Sequence, residues 1–80
     1  MRCHSSNRPV SNFLIAFGER VRLARHGLRL DQCSLACDIG ITQAALSKIE
    51  TGQSDVSILR ATKIANALGT TLPNLLKGLV

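Results

Sequence analysis

Apolar side chains recur at helical spacing along most of this chain. From about Asn12 to Gly27 they form one stripe whose members lie three or four residues apart: Phe13, Phe17, Val21, Ala24 and Leu28. Ser11 or Asn12 can cap the start of that helix. No stretch of strand length alternates between apolar and polar residues. The pattern therefore predicts an all-α domain over residues 11–80, preceded by a flexible basic tail over residues 1–10.

Capping residues and glycines divide the rest of the chain into four further helices. Side chains that accept hydrogen bonds at helix N-termini occur at Asp31, Thr42, Ser57 and Thr71. Glycines that favour helix ends occur at Gly40, Gly52 and Gly69. The apolar stripe of the fourth helix is Ile58, Ala61, Ala65 and Leu68. We predict five helices around one core, which contains Val21, Leu35, Ala36, Leu46, Ile49, Ala65 and Leu68.

The second and third predicted helices are joined by a very short turn. Only Ile41 separates Gly40, which ends one helix, from Thr42, which caps the next. Two short helices joined so closely cannot lie antiparallel. They must cross steeply, which is the geometry of a helix-turn-helix.

The third helix has one face of small and polar side chains. At about 100° per residue, Leu46 and Ile49 mark its buried side. The outward side carries Gln43, Ala44, Ser47, Lys48 and Thr51. Such a face suits a DNA groove, because glutamine can pair with adenine, lysine can reach guanine, and an alanine methyl can touch a thymine methyl. An ordinary solvated helix surface has the same composition, and the pattern alone leaves both interpretations open.

Glu50 lies roughly 40° from Leu46 on the same helical wheel. We therefore expect its carboxylate to be partly buried and to need a partner. Arg25, next to the Ala24 position of the first helix, is the candidate. The alternative is that Glu50 reaches solvent at the edge of the domain.

This 80-residue chain has a net positive charge that is unevenly distributed along the sequence. Ten Lys and Arg against five Asp and Glu give +5, which favours a polyanionic partner. Residues 31–56 nevertheless hold one cation and four anions. Attraction to DNA must therefore come from the flanks, and we expect Arg20 and Arg22 to contact phosphates. Aromatic residues make up only 2%, which argues against a base-stacking surface for single strands.

The same composition argues against several other classes of protein. The longest apolar run, Phe13 to Phe17, is too short for a membrane span or a signal peptide, so we expect a cytoplasmic protein without a membrane partner. No pair of carboxylates, Ser/His/Asp set or glycine-rich phosphate loop indicates an enzyme.

The three cysteines are expected to be reduced thiols, because their number is odd and their spacing fits no disulfide framework. Cys33 and Cys37 lie one helical turn apart. Together with Cys3 and His4 they could assemble a zinc site only if the N-terminal segment folded back. Since no CxxC or HxxxH spacing is present, we predict no metal and no cofactor.

Taken in order and spacing, these residues resemble the lambda repressor and Cro family of helix-turn-helix DNA-binding domains, which includes the XRE-like transcriptional regulators. The resemblance covers Phe17 to Leu76. The matching segments are Phe17-Gly18-Glu19-Arg20-Val21-Arg22 with Arg25, Gln32 with Leu35-Ala36, Gly40-Ile41-Thr42-Gln43, Leu46-Ser47-Lys48-Ile49-Glu50 with Gly52, then Ser57, Ile64-Ala65, Ala67-Leu68-Gly69 and Leu75-Leu76.

The resemblance implies five helices, with the third helix in the major groove of DNA. The positions that match base-reading residues are Gln43, Ala44, Ser47 and Lys48. The positions that match phosphate-contacting or backbone-adjacent residues are Gln32, Thr42, Thr51, Gln53 and Ser54. Arg25 and Glu50 match an interior ion pair, in agreement with the wheel argument.

Two residues depart from the family pattern. Arg29 stands where the family usually has a glycine after the first helix, so that end is either irregular or holds Arg29 in a left-handed conformation. Asp55 lies in the loop after the third helix, near where phosphates would pass.

We therefore expect a sequence-specific regulator of transcription, either a repressor or a controller. We expect it to bind an inverted-repeat operator in double-stranded DNA as a homodimer. The dimer interface is expected in the apolar C-terminal segment, at Leu72, Leu75, Leu76, Leu79 and Val80. Phage repressors, restriction–modification controllers and antitoxins fit equally well. The alternative is an adaptor or antitoxin-like module that binds a partner protein, which the acidic centre and Asp55 favour.

Overall fold

The computed structural model describes residues 4–79, with side chains from residue 12 onward. Five helices account for most of this part of the chain, and it contains no strand. They are α1 (His4–Gly27), α2 (Gln32–Ile39), α3 (Gln43–Glu50), α4 (Ile58–Ala67) and α5 (Leu72–Leu75). The predicted all-α, five-helix architecture is confirmed.

Helix α1 begins at His4 rather than near Asn12, so it extends through most of the segment predicted to be a tail. A capping side chain at Ser11 or Asn12 favours a helix start there. It does not prevent helical backbone upstream, and local signals place helix ends poorly for this reason. The end of α1 at Gly27 agrees with the prediction.

The predicted caps of the other four helices are all present. At each N-terminus a side-chain oxygen accepts a hydrogen bond from the backbone N–H three residues later: Asp31 from Ser34, Thr42 from Ala45, Ser57 from Arg60, and Thr71 from Asn74. Gly40 has φ 77° and donates to the carbonyls of Ala36 and Cys37. This left-handed residue turns the chain directly from α2 into α3.

The core contains every residue predicted for it and several more. The buried apolar side chains are Phe17, Val21, Leu35, Ala36, Ile39, Leu46, Ile49, Ala61, Ile64, Ala65, Leu68 and Leu75. Two members of the predicted stripes are exposed instead. Leu28 is 51% exposed because it follows the end of α1, where the helical wheel no longer applies. Ile58 is 78% exposed because it opens α4 beyond the edge of the core, whereas Ile64 is fully buried.

Helices α1 and α3 approach each other closely enough for their backbones to touch. A Cβ atom at Gly18 would lie 2.6 Å from the carbonyl oxygen of Glu50, which is closer than real Cβ contacts. A Cβ at Gly52, just after α3, would lie 2.7 Å from the Cα of Ile15. Two glycines therefore let α1 lie against the C-terminal end of α3, and this contact fixes the direction of α3 from behind.

Candidate nucleic-acid interface

The outward face of α3 presents the four predicted base-reading side chains together. Gln43, Ala44 and Lys48 are exposed, and Ser47 is half-buried. The opposite side of the helix packs into the core through Leu46 and Ile49. A helix that is anchored on one side and polar on the other can enter a groove without disturbing the fold.

Behind this face, Arg25 and Glu50 form a buried, two-pronged ion pair. Arg25 donates from Nε to Oε2 of Glu50 over 2.8 Å and from Nη2 to Oε1 over 3.0 Å. The two residues are 7% and 5% exposed. The hydrogen bond to Glu50 raises the pKa of Arg25 above its ordinary value, although burial acts in the opposite direction. Arg25 also donates from Nη1 to the carbonyl of Leu30 over 2.9 Å. The pair therefore joins α1, the α1–α2 corner and α3.

A chain of side-chain hydrogen bonds leads from this pair to the surface. Gln32 donates from Nε2 to Oε1 of Glu50 over 3.1 Å. Its own Oε1 accepts from Nε2 of Gln43 over 3.4 Å. Gln43 is thus connected to the buried carboxylate through Gln32. The resemblance identified both glutamines separately, but the link between them emerges only once α2 and α3 are packed.

The side chains expected near the DNA backbone surround α3. Thr42 and Thr51 lie at its two ends, Gln53 and Ser54 follow it, and Gln32 begins α2. Thr42, Thr51 and Gln53 are exposed, and Gln32 and Ser54 are half-buried. The Thr42 hydroxyl accepts from the N–H of Ala45, so its own proton can still be donated to a ligand. Thr51 donates to the carbonyl of Ser47 over 3.0 Å, so its oxygen remains an acceptor.

The two α1 cations expected to contact phosphates have partners within the chain. Arg20 donates from Nη1 to the carbonyls of Leu75 and Lys77, over 3.2 and 2.9 Å. It therefore satisfies carbonyls at the C-terminal end of α5, a role that the sequence analysis missed. Arg22 forms a 3.6 Å ion pair with Glu19, and the two side chains are 42% and 62% exposed.

Most of the apolar C-terminal segment packs against the core of the same chain. Leu75 is buried, and Leu72, Leu76 and Leu79 are half-buried against the core. Val80 lies outside the described residues. Large exposed apolar side chains occur instead on α1, at the corner after it, and at the start of α4: Ile15, Leu23, Leu28, Ile58 and Leu59. Ile58 lies at the rim of an apolar groove of about 120 Å³, lined by Phe13, Leu14, Phe17, Val56, Ile58, Ala61, Leu72 and Leu76.

Both departures from the family pattern are visible. Arg29 has φ 58°, which is the left-handed conformation, and it is exposed. Asp55 is exposed in the loop between α3 and α4. Within residues 4–79 no helix is both long and apolar enough to cross a membrane.

The cysteines of α2 do not join a larger set of ligands. Cys33 and Cys37 are free and exposed. The described side chains contain no group of three His, Cys, Asp or Glu residues that could hold a metal ion. Cys3 lies outside the described residues, and so does the side chain of His4.

Comparison with known proteins gives a consistent set of similarities. Residues 21–75 match the model of the helix-turn-helix family. The chain is 36% identical over 62 residues to YonR of Bacillus subtilis (strain 168), an SPbeta prophage-derived uncharacterized HTH-type transcriptional regulator. That alignment covers 78% of this chain but only 57% of the relative, so the chain spans little more than half of the length of that protein.

Two solved structures are similar over nearly their whole length. The restriction-modification controller protein C.AhdI from Aeromonas hydrophila has a TM-score of 0.78 and 32% identity, over 81% of this chain and 94% of that one. The clp gene regulator ClgR from C. glutamicum has a TM-score of 0.79 over 84% of this chain and 87% of that one. Its identity of 24% supports a shared fold only.

Proposed function

The chain belongs to the lambda repressor and Cro type of the helix-turn-helix family, whose members are DNA-binding transcriptional regulators, and on that premise we propose that it is a sequence-specific repressor or controller. Its ligand is double-stranded DNA, its operator is an inverted repeat, and it binds as a homodimer. It acts by occupying DNA and not as an enzyme.

The observation that carries this proposal is the division of α3 into a buried side and a polar outward side. Gln43 and Lys48 have the longest side chains on the outward side, and they can make strong hydrogen bonds to base edges. Ala44 and Ser47 add a methyl contact and one short hydrogen bond. The Gln32 contact limits the rotation of the Gln43 amide, so less conformational freedom is lost when Gln43 binds a base.

Contacts to phosphates fix the position of α3 in the groove. We assign this role to Gln32, Thr42, Thr51, Gln53 and Ser54, with Arg22 as a cation on the flank. Arg20 supports the interface indirectly, because its hydrogen bonds hold the end of α5 against α1.

Dimerisation follows from the small size of the reading surface. One short helix contacts only a few base pairs, and two copies on adjacent half-sites supply the remaining affinity. The exposed Ile58 and Leu59 lie at the start of α4, and the apolar groove that Ile58 borders also includes Leu72 and Leu76 of the C-terminal segment. We propose that the dimer contact includes this groove together with Leu79 and Val80, and that Leu75 supports it from within the core.

Selection of bound duplexes from a random pool tests the proposal. We expect enrichment of an inverted repeat whose half-sites lie about one helical turn, roughly 10 base pairs, apart. Enrichment of a single unrepeated half-site would contradict the homodimer, and the absence of any enriched sequence would contradict specific DNA binding.

The second candidate function is an adaptor that binds a partner protein. The specific observation in its favour is that Asp31, Asp38 and Asp55 are all exposed on or beside the helix-turn-helix unit. Such charges repel phosphates. Strong, salt-sensitive binding of the chain to duplex DNA would exclude this alternative.

A further inference from the structure

The exposed face of α2 carries two free thiols one helical turn apart. Cys33 and Cys37 are both exposed and belong to a helix of only eight residues. Cysteine is among the residue types most often buried, so core packing does not account for two exposed thiols on one face. Side chains four residues apart on a helix have Cβ atoms about 5–6 Å from each other.

This spacing suits a cation that takes two sulfur ligands in a line. A metal–thiolate bond is about 2.3 Å, so a linear arrangement places the two sulfur atoms about 4.6 Å apart. That separation is close to the Cβ separation, so the helical spacing matches a linear bridge between two thiolates. A tetrahedral cation such as zinc needs four ligands, and the described side chains supply no third one here.

We propose that Cys33 and Cys37 form a two-thiolate binding site for a soft, two-coordinate cation of the copper(I) or mercury(II) type. The expectation of no metal site came from counting the ligands that zinc needs. Thiolates select soft cations, and a two-coordinate soft cation needs only this pair.

Binding involves proton release and no redox change. Each thiol loses its proton to solvent, two metal–sulfur bonds form, and the weakly held ligands of the incoming cation leave. The bound cation spans one turn of α2, so it stabilises that helix against fraying. This inference does not depend on DNA binding.

The test is a titration of the reduced full chain without oxygen, in a Cys3→Ser background that removes the third thiol. Mercury(II) and copper(I) are the probes, each in competition with a chelator, and native mass spectrometry gives the stoichiometry. We expect one cation per chain and two protons released. Cys33→Ser or Cys37→Ser should lower the affinity at least about 100-fold, because the second thiolate no longer binds at high effective concentration.

A matched control keeps two exposed thiols but separates them. Cys37→Ser combined with Asp38→Cys moves the second thiol to roughly 140° from Cys33 around the helix. We expect this variant to bind as weakly as the single variants while its circular dichroism stays unchanged. Parental affinity in this control, one cation shared between two chains, or equally tight binding of zinc(II) would overturn the proposal.

Discussion

Gln32 donates a hydrogen bond to the buried carboxylate of Glu50 over 3.1 Å, and this contact ties the first residue of α2 to the last residue of α3. Glu50 is held from the other side by Arg25. The crossing of the two helices is therefore fixed by directional hydrogen bonds as well as by apolar packing.

Loss of Glu50 should be far more damaging than loss of an exposed acid. Glu50→Ala leaves the guanidinium of Arg25 buried without its partner, and we expect a loss of about 3–5 kcal/mol in unfolding free energy. Glu19→Ala is the matched control, because it breaks the exposed pair with Arg22 and should cost less than about 1 kcal/mol. Urea unfolding of both variants measures the difference. Equal losses would mean that the buried pair contributes no more than the surface pair.

Gly18→Ala should destabilise the domain because its methyl group meets the backbone of α3. The carbonyl carbon of Glu50 would lie 2.7 Å from the new Cβ, and backbone cannot move aside as a flexible side chain can. We expect a cost of about 1–3 kcal/mol or more. Gly27→Ala is the control, because a Cβ there meets nothing within 4 Å. Thermal melts should show a clear decrease for the first variant and no decrease for the second.

Arg29→Gly should stabilise the fold. The left-handed conformation costs a non-glycine residue about 1–2 kcal/mol. Glycine also has more conformational freedom in the unfolded chain, and this offsets about 0.4–1 kcal/mol of the gain. At the middle of both ranges the expected net gain is about 0.8 kcal/mol in chemical denaturation. Arg22→Gly, inside α1, should instead cost about 1 kcal/mol. If Arg29→Gly lowers the free energy of unfolding, the Arg29 side chain stabilises the fold by more than its left-handed backbone destabilises it.

The cap of α2 should make part of the stability depend on pH. The hydrogen bond from the N–H of Ser34 lowers the pKa of the Asp31 carboxyl below its ordinary value of 3.8. A group whose pKa is lower in the folded state stabilises that state above its unfolded pKa, and this contribution disappears as the pH falls through the folded pKa. Asp31→Asn should therefore be less stable than the parent at neutral pH, and the difference should shrink below about pH 4. A difference that stays constant down to pH 2 would contradict the assignment.

Gln43→Ala should change which DNA sequence is preferred. We expect specific binding to weaken by about 1–3 kcal/mol, with relaxed preference at one base pair in each half-site. Arg22→Ala should instead weaken all duplexes alike and lower the salt dependence by about one unit of slope. Binding of both variants to specific and scrambled duplexes over a salt series separates the two effects. If Gln43→Ala weakens both duplexes equally, α3 does not read the bases.

Local features of the fold were predictable from the sequence, because their causes lie within a few residues of chain. Asp31, Thr42 and Ser57 cap helices through the N–H groups three residues ahead, so the capping pattern identified them. The missing glycine left two alternatives, an irregular end of α1 or a left-handed Arg29, and the structure has the second. The start of α1 was misplaced because the same local preferences do not prevent a helix from extending upstream.

Contacts between distant segments were not predictable in the same way. The bond from Arg20 to Lys77 joins residues 57 positions apart, and nothing near Arg20 in the sequence indicates it. The C-terminal leucines looked like an exposed patch because hydropathy does not show which of them the core covers. The Arg25–Glu50 pair was the exception, since a helical wheel and a family resemblance both pointed to it.

The two sides of α3 have consequences for how the chain can diversify. Leu46, Ile49 and Glu50 anchor the helix, whereas Ala44 and Lys48 make no buried contact. Substitutions at these two outward positions can therefore accumulate, or be introduced by design, with little penalty in folding. Gln43 is less free to change, because any replacement must also suit Gln32. A library for retargeting this scaffold should vary Ala44, Ser47 and Lys48 independently and vary Gln43 and Gln32 as a pair.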